Sequence, residues 1–226
     1  MKRASDLFNE AKREQVEQAV IEAEAKTSCE IVPVVATASG RYDRAEDLIG
    51  LWLAVLVASG IWLIFPKQLS ESGSWSGLSV YAGLLIMVAG VAVAFIAGAV
   101  MGSRIGWLRR MFVPRKEMQD EVNARARAVF FDQRVHHTKD ATGLLVYVSL
   151  FERMAVVLGD QEVIDSLGQS SLEQLCQLLT ESLRQGDAAD AICNVIAEAE
   201  NQLSGPLPRG DEDANELQNA LVLIEQ

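Results

Sequence analysis

Two long apolar runs without any charged residue constrain this chain most. The first is Leu48–Pro66, nineteen residues, and the second is Ser72–Ser103, thirty-two residues. A membrane-spanning helix needs roughly 20 apolar residues, because each residue adds about 1.5 Å and the hydrocarbon core is about 30 Å thick. Backbone groups inside lipid must be hydrogen-bonded internally, so both runs are expected to be helical. The sequence therefore predicts a transmembrane helical hairpin over 48–103, with spans at 48–66 and 78–103 and a turn at 67–77.

Basic residues near the ends of the spans predict the orientation of this helical hairpin. Segment 104–116 follows the second span and carries five basic residues and no acidic one, whereas the turn offers only Lys67. Because positively charged flanks stay in the cytoplasm, we expect both termini there, in a multi-pass protein of the bacterial inner membrane. Tryptophans are typical of membrane interfaces, and four lie near the predicted ones. These are Trp52, Trp62, Trp75 and Trp107.

The composition of the spans favours an anchor. Neither span contains Asp, Glu, Lys, Arg or His, whereas a transport path usually needs an ionisable group within the membrane. A subunit of an oligomeric transporter is therefore only an alternative. Gly98 and Gly102 form one G-x-x-x-G, which either lets two helices approach closely or reflects the general frequency of glycine in spans.

Charge and cysteine usage exclude several classes of protein. The net charge is −11, and residues 117–226 alone carry seven basic and twenty acidic groups. Such an acidic part predicts no nucleic-acid partner, while the basic segment 104–116 is expected at the lipid headgroups of the bilayer. The chain has three cysteines, an odd number, and none of them belongs to a C-x-x-C motif. This usage is typical of reduced thiols in the cytosol. The cysteines are Cys29, Cys176 and Cys193.

The regions outside the membrane alternate between helical and strand patterns. The predicted elements are a helix over 5–27, a strand at Glu30–Ala36, a helix over 118–130, and two strands at Leu144–Leu150 and Met154–Leu158. Pro33 cannot donate to a ladder, which indicates an edge strand for 30–36. Residues 37–47 are interpreted as a linker into the membrane. The closeness of the last two strands predicts an antiparallel β-hairpin.

Helix-capping signals divide the C-terminal part of the chain into two predicted helices and a tail. Ser170 or Ser171, followed by Glu173 or Gln174, predicts a capping box that opens a helix. Gly186 is expected to end that helix and Asp187 to cap the next one. After a Gly-Pro-rich break, the tail is expected to hold a short helix carrying Leu217, Leu221 and Ile224.

These elements together predict an α/β fold, an α+β sandwich in which helices cover a small mixed sheet. One helix and one strand cannot close a core, so residues 5–36 are expected to complete the sheet built by 143–158. The predicted domain then has two parts, 1–47 and 117–205, interrupted by the helical hairpin 48–103. The basic juxtamembrane segment 104–116 and an acidic tail, 206–226, complete the chain.

Several short segments resemble the TPM domain family. The similar segments are Ala23–Glu24, Thr27–Val32, Arg134–Val135, Thr138, Thr142–Arg153 and Gly159–Asp160. The resemblance covers residues 8–36 and 120–203, and resides mostly in the block 142–160. It implies an α/β sandwich, and a bacterial membrane-anchored branch in which a transmembrane hairpin often splits the domain.

What the family resemblance implies about function is varied. Members are called acid phosphatases, act in photosystem repair, or serve as accessory subunits of membrane receptors. This chain departs from the pattern in two ways. Cys29 stands where relatives often carry a small residue, and the acidic clusters that some relatives use for divalent cations have no residue-by-residue match here.

Known catalytic motifs are missing from the sequence. No cysteine is followed six residues later by arginine, and neither a G-x-S-x-G elbow nor a P-loop is present. His136 and His137 are adjacent and have no third ligand at zinc spacing, so they are assigned to the surface. The catalytic residues are therefore unknown, and no metal site is predicted.

Glu152, Arg153 and Asp160 are the candidate binding residues. They flank the second predicted strand of the β-hairpin, where charged side chains also serve solubility. If they form a site, the carboxylates would hold a divalent cation such as Ca²⁺ or Mg²⁺, and Arg153 would face a phosphate. The acidic run Asp211–Asp213 could do the same, or could be a solvated tail.

The leading hypothesis is a non-enzymatic, membrane-anchored TPM-like module that acts as an interaction or accessory domain. Its expected partners are the lipid bilayer and either a membrane protein or further copies of the chain. A metal-dependent or weak phosphatase is the first alternative, and the transporter subunit is the second.

Overall fold

The structure is a computed structural model that describes residues 3–64, 77–210 and 216–225, with side chains described outside 77–82. Two compact units make up the chain. One is Arg41–Pro114, and the other combines Lys2–Gly40 with Arg115–Gln226. Residues 67–76 of the predicted turn, Trp75 among them, and the acidic run 211–213 lie outside the described residues.

Nine α-helices, one 3-10 turn and four strands are assigned within the described residues. In chain order they are α1 (Ala4–Leu7), α2 (Glu10–Glu24), β1 (Glu30–Ala36), α3 (Asp43–Ile64), α4 (Gly77–Arg104), α5 (Gly106–Met111), α6 (Arg115–Asp132), the 3-10 turn (Val135–His137), β2 (Gly143–Ser149), β3 (Met154–Gly159), α7 (Gln161–Leu167), α8 (Gln169–Gln185), α9 (Ala188–Leu203) and β4 (Val222–Ile224).

One mixed sheet organises the larger unit. Its strand order is β3-β2-β1-β4. β1 runs parallel to β2 and β4, whereas β2 and β3 are antiparallel. The predicted β-hairpin and the predicted mixed sheet are both confirmed. Residues before and after the apolar helices thus pair directly within one sheet.

Helices cover both faces of this sheet, because each strand is apolar on both sides. Val146 and Val148 face the core that includes residues of α2, α8 and α9. Leu145 and Tyr147 alternate with them and face α6, as the period of two in a strand requires. The predicted α+β sandwich is therefore confirmed.

β1 lies inside the sheet, so the edge position predicted from Pro33 is wrong. The Glu30 N–H donates to the carbonyl of Thr142 on the β2 side at 3.2 Å, and the Thr37 N–H donates to Ile224 on the β4 side at 2.9 Å. Alternation along the strand turns the Pro33 nitrogen toward the β4 side. Because β4 pairs only from Val34 onward, no ladder bond is lost at Pro33.

The C-terminal tail forms a strand, so the short helix predicted around Leu217, Leu221 and Ile224 is wrong. Val222–Ile224 pairs with the second half of β1. That half of β1 presents backbone donors and acceptors which need partners when buried. An isolated helix of this length would be marginal by comparison. Sheet completion therefore decides the conformation.

The first predicted helix is interrupted at Phe8 and Asn9. Phe8 is buried in the core, and Asn9 caps α2 by accepting the Lys12 N–H at 3.0 Å. A side-chain cap of this kind satisfies a backbone donor that the helix start leaves open. The single helix expected over 5–27 is therefore two helices.

The start of α8 also differs from the prediction. Gly168, with φ 76°, precedes the helix, and no side-chain cap is present. The left-handed glycine turns the chain directly from α7 into α8, so Ser171 already lies in the first turn and donates to the Leu167 carbonyl. The predicted serine capping box is wrong. The predictions for Gly186 and Asp187 are confirmed, and Asp187 accepts the Ala189 N–H at 2.9 Å.

The smaller unit contains two helices long and apolar enough to cross a membrane, Asp43–Ile64 and Gly83–Arg104. Their apolar windows are only 17% and 11% buried, unlike core helices of a soluble protein. α3 already begins at Asp43, so the linker predicted over 37–47 is shorter than expected.

The two long helices are antiparallel and meet at glycines. A Cβ atom on Gly98 would lie 2.7 Å from the Gly50 Cα, and one on Gly102 would lie 2.9 Å from the Ile49 Cδ1. Contacts this short mean that the backbones approach as only small residues allow. Of the two readings of the G-x-x-x-G, the structure supports close helix packing.

Candidate functional site

A buried carboxylate lies at the turn between β2 and β3. Glu152 is only 2% exposed. One of its oxygens accepts the backbone N–H groups of Ser39, at 2.9 Å, and Gly40, at 3.2 Å. The other oxygen accepts the Ser149 hydroxyl. Burying a carboxylate is costly unless such charge-assisted hydrogen bonds replace its water.

Three hydroxyl groups extend this site into a chain of hydrogen bonds. The Ser39 Oγ lies 2.8 Å from the Ser149 Oγ and 2.9 Å from the Tyr147 hydroxyl. Because a carboxylate only accepts, Ser149 must donate to Glu152, and each hydroxyl has a single proton to give. Ser39 therefore donates to Ser149, and Tyr147 donates to Ser39. We call Ser39, Tyr147, Ser149 and Glu152 the hydroxyl–carboxylate cluster.

The sheet brings these residues together. Tyr147 and Ser149 are two apart in β2, so their side chains share a face. Parallel pairing puts the carboxyl ends of β1 and β2 at one edge of the sheet. Pairing continues past both strands, since the Leu150 N–H donates to Ala36 and the Phe151 N–H to Thr37, each at 3.0 Å. Glu152 consequently reaches the segment that follows β1.

Electrostatics keep the Tyr147 phenol protonated. Burial raises the pKa of Tyr147 above its ordinary value, and the hydrogen bond to Ser39 only partly offsets this. The nearby charge of Glu152 raises the pKa further, while Arg125 acts in the opposite direction. A protonated phenol at neutral pH is the donor that the hydrogen-bond chain requires.

The structure does not bring the three predicted binding residues to one place. Arg153 has φ 55° and follows Glu152 in the turn, where its own side chain is exposed. Asp160 caps α7, accepting the Gln161 N–H at 2.8 Å, at the opposite end of β3. A six-residue strand spans roughly 20 Å. The binding role of Glu152, Arg153 and Asp160 therefore stays a prediction.

The hydroxyl–carboxylate cluster contains the groups of an activated serine, but a substrate cannot reach them. A serine hydroxyl beside a carboxylate is one arrangement that can generate a nucleophile. Here Ser149 and Tyr147 are completely buried, and the hydrogen bonds within the cluster already use the protons of all three hydroxyl groups. What the arrangement does chemically is to fasten the β2–β3 turn to the chain that follows β1.

Metal-ligating groups are dispersed in the part of the chain that the structure describes. No group of three or more His, Cys, Asp or Glu residues is placed there to hold a metal ion. His136 lies exposed beside Phe131, with ring centroids 4.7 Å apart. Burial, together with the charges of Glu24 and Glu30, raises the pKa of the Cys29 thiol. Cys29 is therefore a thiol rather than a reactive thiolate.

Two further buried carboxylates, Glu24 at the end of α2 and Glu30 at the start of β1, lie elsewhere in the same unit. Glu24 accepts the Ile31 N–H at 3.0 Å, and burial raises its pKa to about 7. Glu30 accepts the N–H groups of Glu216 and Leu217 at 3.3 and 3.2 Å. Both glutamates thus satisfy backbone donors near the ends of elements, and Glu30 holds the C-terminal segment.

Sequence reasoning missed Ser39, Tyr147 and Ser149. A signal for two of them exists, because Tyr147 and Ser149 alternate with apolar residues in a strand that is otherwise entirely apolar. Polar groups on one face of a buried strand need hydrogen-bond partners, and Glu152 follows immediately. Ser39 carried no such signal, since it lies in a segment that resembles an ordinary linker.

Comparison with known proteins bears on the fold. No family model matches the sequence, and no curated protein matches it significantly. The NMR structure of the BA42 protein from the psychrophilic bacterium Bizionia argentinensis is similar, with a TM-score of 0.57 and 15% sequence identity over 100% of both chains. BA42 is a TPM-domain protein, so the comparison supports a TPM-like fold for this chain.

Proposed function

We propose that this chain is a membrane-anchored protein whose TPM-like domain serves as a non-enzymatic accessory or interaction module for a membrane partner. The observation that carries the proposal is the place of the two apolar helices. They are inserted between β1 and β2, neighbouring strands of one sheet. The chain leaves the folded domain, forms both helices, and returns to complete the same sheet.

The surfaces of the two helices support a lipid environment. Leu56, Leu63 and Leu85 are 65%, 76% and 69% exposed, and many other large apolar side chains on α3 and α4 are exposed as well. Soluble proteins rarely leave so much continuous apolar surface uncovered. The glycine contacts hold the helices together, while their leucines point outward. An anchor with a lipid-facing exterior fits both features.

The closed state of the hydroxyl–carboxylate cluster supports a non-enzymatic role. Its hydroxyl protons are committed to internal hydrogen bonds, and its side chains are buried. An interaction module needs a stable domain at a fixed place on the membrane, not an accessible nucleophile. The partner would be another membrane protein or a second copy of this chain.

Labelling of introduced cysteines tests the membrane topology. In a background with Cys29, Cys176 and Cys193 replaced by alanine, Ser72→Cys and Asp213→Cys would be exposed to a membrane-impermeant maleimide on intact cells. With both termini in the cytoplasm, Ser72→Cys is labelled at once and Asp213→Cys only after permeabilisation. Labelling of Asp213→Cys on intact cells would overturn the orientation. Recovery of the protein in the soluble fraction would overturn the anchor.

Purification in mild detergent tests the accessory role. The mass of the isolated particle, compared with 24.7 kDa for one chain, separates a homo-oligomer from a complex with another membrane protein. Activity toward a generic phosphomonoester, with and without Mg²⁺ or Ca²⁺, is measured on the same sample. We expect no turnover. Cation-dependent turnover that disappears in Asp160→Asn would refute the non-enzymatic proposal and favour a phosphatase.

A further inference from the structure

A groove of about 450 Å³ lies on the surface of the smaller unit, between α3 and α4. Its apolar lining consists of Leu48 and Leu51 from α3 and Phe95 from α4, which are 41%, 53% and 37% exposed. Two charged and exposed side chains of α3, Arg44 and Asp47, complete the lining. A groove that joins apolar side chains to a few charged groups is suited to an amphipathic molecule.

The order of the lining residues along α3 separates a charged end of the groove from an apolar end. Arg44 and Asp47 come first in the helix, and Leu48 and Leu51 follow them. Residues three and four apart lie on one side of a helix, so these four form a single strip. The strip rises by about 1.5 Å per residue, or roughly 10 Å from Arg44 to Leu51. In a spanning helix it runs from the headgroup layer into the hydrocarbon, as a phospholipid does.

The two charges in the groove balance each other. Within the described residues, neither Arg44 nor Asp47 takes part in an ion pair. Glu46 is already paired with Arg109, whose guanidinium lies 2.9 Å from its carboxylate oxygen. Other charged residues at this end of the two helices do not line the groove, among them Arg41, Asp43 and Arg104. One positive and one negative group together favour a zwitterionic headgroup over an anionic one.

The lining also distinguishes between two zwitterionic headgroups. A choline ammonium has no N–H group and is typically recognised by a cage of aromatic rings, whereas the lining described here has a single aromatic side chain, Phe95. An ethanolamine ammonium has N–H donors, which a carboxylate such as Asp47 accepts in charge-assisted hydrogen bonds. The phosphate is one ethylene bridge away and suits the guanidinium of Arg44. Cβ atoms three residues apart on a helix lie about 5–6 Å apart, so one headgroup can reach both side chains.

We infer that this groove binds one molecule of phosphatidylethanolamine from the bilayer. Arg44 binds its phosphate and Asp47 binds its ammonium group. One acyl chain contacts Leu48, Leu51 and Phe95. This inference rests on the proposed membrane anchor, and it adds that the anchor selects a lipid with a primary ammonium group over anionic lipids and over choline lipids.

Lipid retention tests the inference on the full chain. The protein is inserted into nanodiscs that contain equal amounts of phosphatidylethanolamine, phosphatidylcholine and phosphatidylglycerol with the same acyl chains. It is then extracted in mild detergent, and mass spectrometry counts each lipid per protein. The groove variant, Arg44→Gln with Asp47→Asn, removes both charges from the lining. The matched control, Arg41→Gln with Asp43→Asn, removes the same two kinds of charge beside the groove.

We expect the wild type and the control to retain phosphatidylethanolamine over either other lipid by about fivefold, the upper end for an exposed charge pair. The groove variant should retain the three lipids equally. Asp47→Arg makes the groove basic and should turn the preference toward phosphatidylglycerol.

Two results would overturn the inference and leave the anchor standing. One is equal retention of the three lipids by the inserted wild type. The other is an equal loss of phosphatidylethanolamine in the groove variant and in the control. Failure of the wild type to enter nanodiscs would refute the anchor itself, and the inference with it.

Discussion

The Glu152 carboxylate accepts a 2.9 Å hydrogen bond from the backbone N–H of Ser39, a residue 113 positions earlier in the chain. Both apolar helices lie between these two residues in the chain, which leaves the sheet after β1 and rejoins it at β2. Ser39 lies three residues beyond β1, and Glu152 lies three residues beyond β2. This bond therefore fastens the strand end from which the chain departs to the strand that it rejoins.

Removing the Glu152 carboxylate should destabilise the larger unit. Glu152→Ala leaves two buried backbone N–H groups and the Ser149 hydroxyl without their acceptor. An unsatisfied buried donor costs about 1–3 kcal/mol, and more where the lost partner was charged. We expect the free energy of unfolding to fall by about 3 kcal/mol, measured by denaturant titration of the purified protein. Glu152→Gln should cost less, because its amide oxygen still accepts.

Arg153 supplies the matched control for Glu152. It is the next residue, exposed, and has a left-handed φ of 55°, a conformation that glycine adopts more easily. Arg153→Gly should leave the stability unchanged or raise it by up to about 1 kcal/mol. An equal loss of stability in Arg153→Gly and Glu152→Ala would show that the turn itself, not the buried carboxylate, matters.

The approach of Gly98 to Gly50 predicts a second effect, confined to the apolar helices. In Gly98→Leu, the new side chain would collide with the backbone of α3, where even a Cβ would lie 2.7 Å from the Gly50 Cα. Overpacking of this kind costs about 1–3 kcal/mol. We expect a lower thermal stability in detergent, and loss of a disulfide cross-link engineered between α3 and α4.

Gly83 offers the comparison within the same helix. A Cβ there meets nothing within 4 Å, so Gly83→Leu should leave the cross-link and the stability intact. If the two leucine variants behave alike, the close approach of α3 and α4 does not contribute to their association.

Glu24 makes the stability of the protein depend on pH. Burial raises the pKa of Glu24 from 4.5 to about 7, so the folded state prefers the protonated form. The corresponding stabilisation is complete below pH 4.5 and is lost as the pH rises through 7. One pKa unit corresponds to 1.36 kcal/mol, so the loss amounts to at most about 3 kcal/mol.

Thermal unfolding of the wild type and of Glu24→Gln, followed from pH 4.5 to 8, measures this contribution. Glutamine still accepts the Ile31 N–H but carries no charge. We expect the variant to gain stability relative to the wild type as the pH increases. A difference between the two proteins that stays constant over the range would contradict a raised pKa.

The sequence predicted the helices and strands that are determined by their own residue pattern. It did not predict those whose conformation depends on contacts with distant segments of the chain. The nearly continuous apolar runs of β2 and β3 and the cap at Asp187 need only local chemistry, and the structure has these elements where expected. The conformation of Val222–Ile224 depends instead on the open side of β1, which no local pattern reveals. The edge position predicted from Pro33 is wrong for the same reason, because the place where β4 begins decides whether a proline fits at this point of the sheet.

In the candidate site, too, one part could be predicted from the local sequence and another depends on tertiary contacts. Glu152 was recognisable as a charged residue next to an apolar strand, but its burial depends on Ser39, which only the tertiary fold brings near. A charged residue at a β-hairpin turn is normally solvated. Its partners, rather than its own position, make Glu152 part of a buried cluster.

Deletion of β4 tests whether sheet completion determines the conformation of the tail. A chain that ends at Leu221 lacks the Ile224 carbonyl, which accepts the Thr37 N–H at 2.9 Å. The Ala36 N–H faces β2 and keeps its partner. In hydrogen exchange, the Thr37 amide should exchange at least about tenfold faster, because roughly 1.4 kcal/mol of protection is lost, while Ala36 changes little. The exposed edge of β1 should also promote self-association. Unchanged exchange at Thr37 would mean that β4 does not hold β1 in solution, and the tail would then be free to form the helix that its sequence alone suggests.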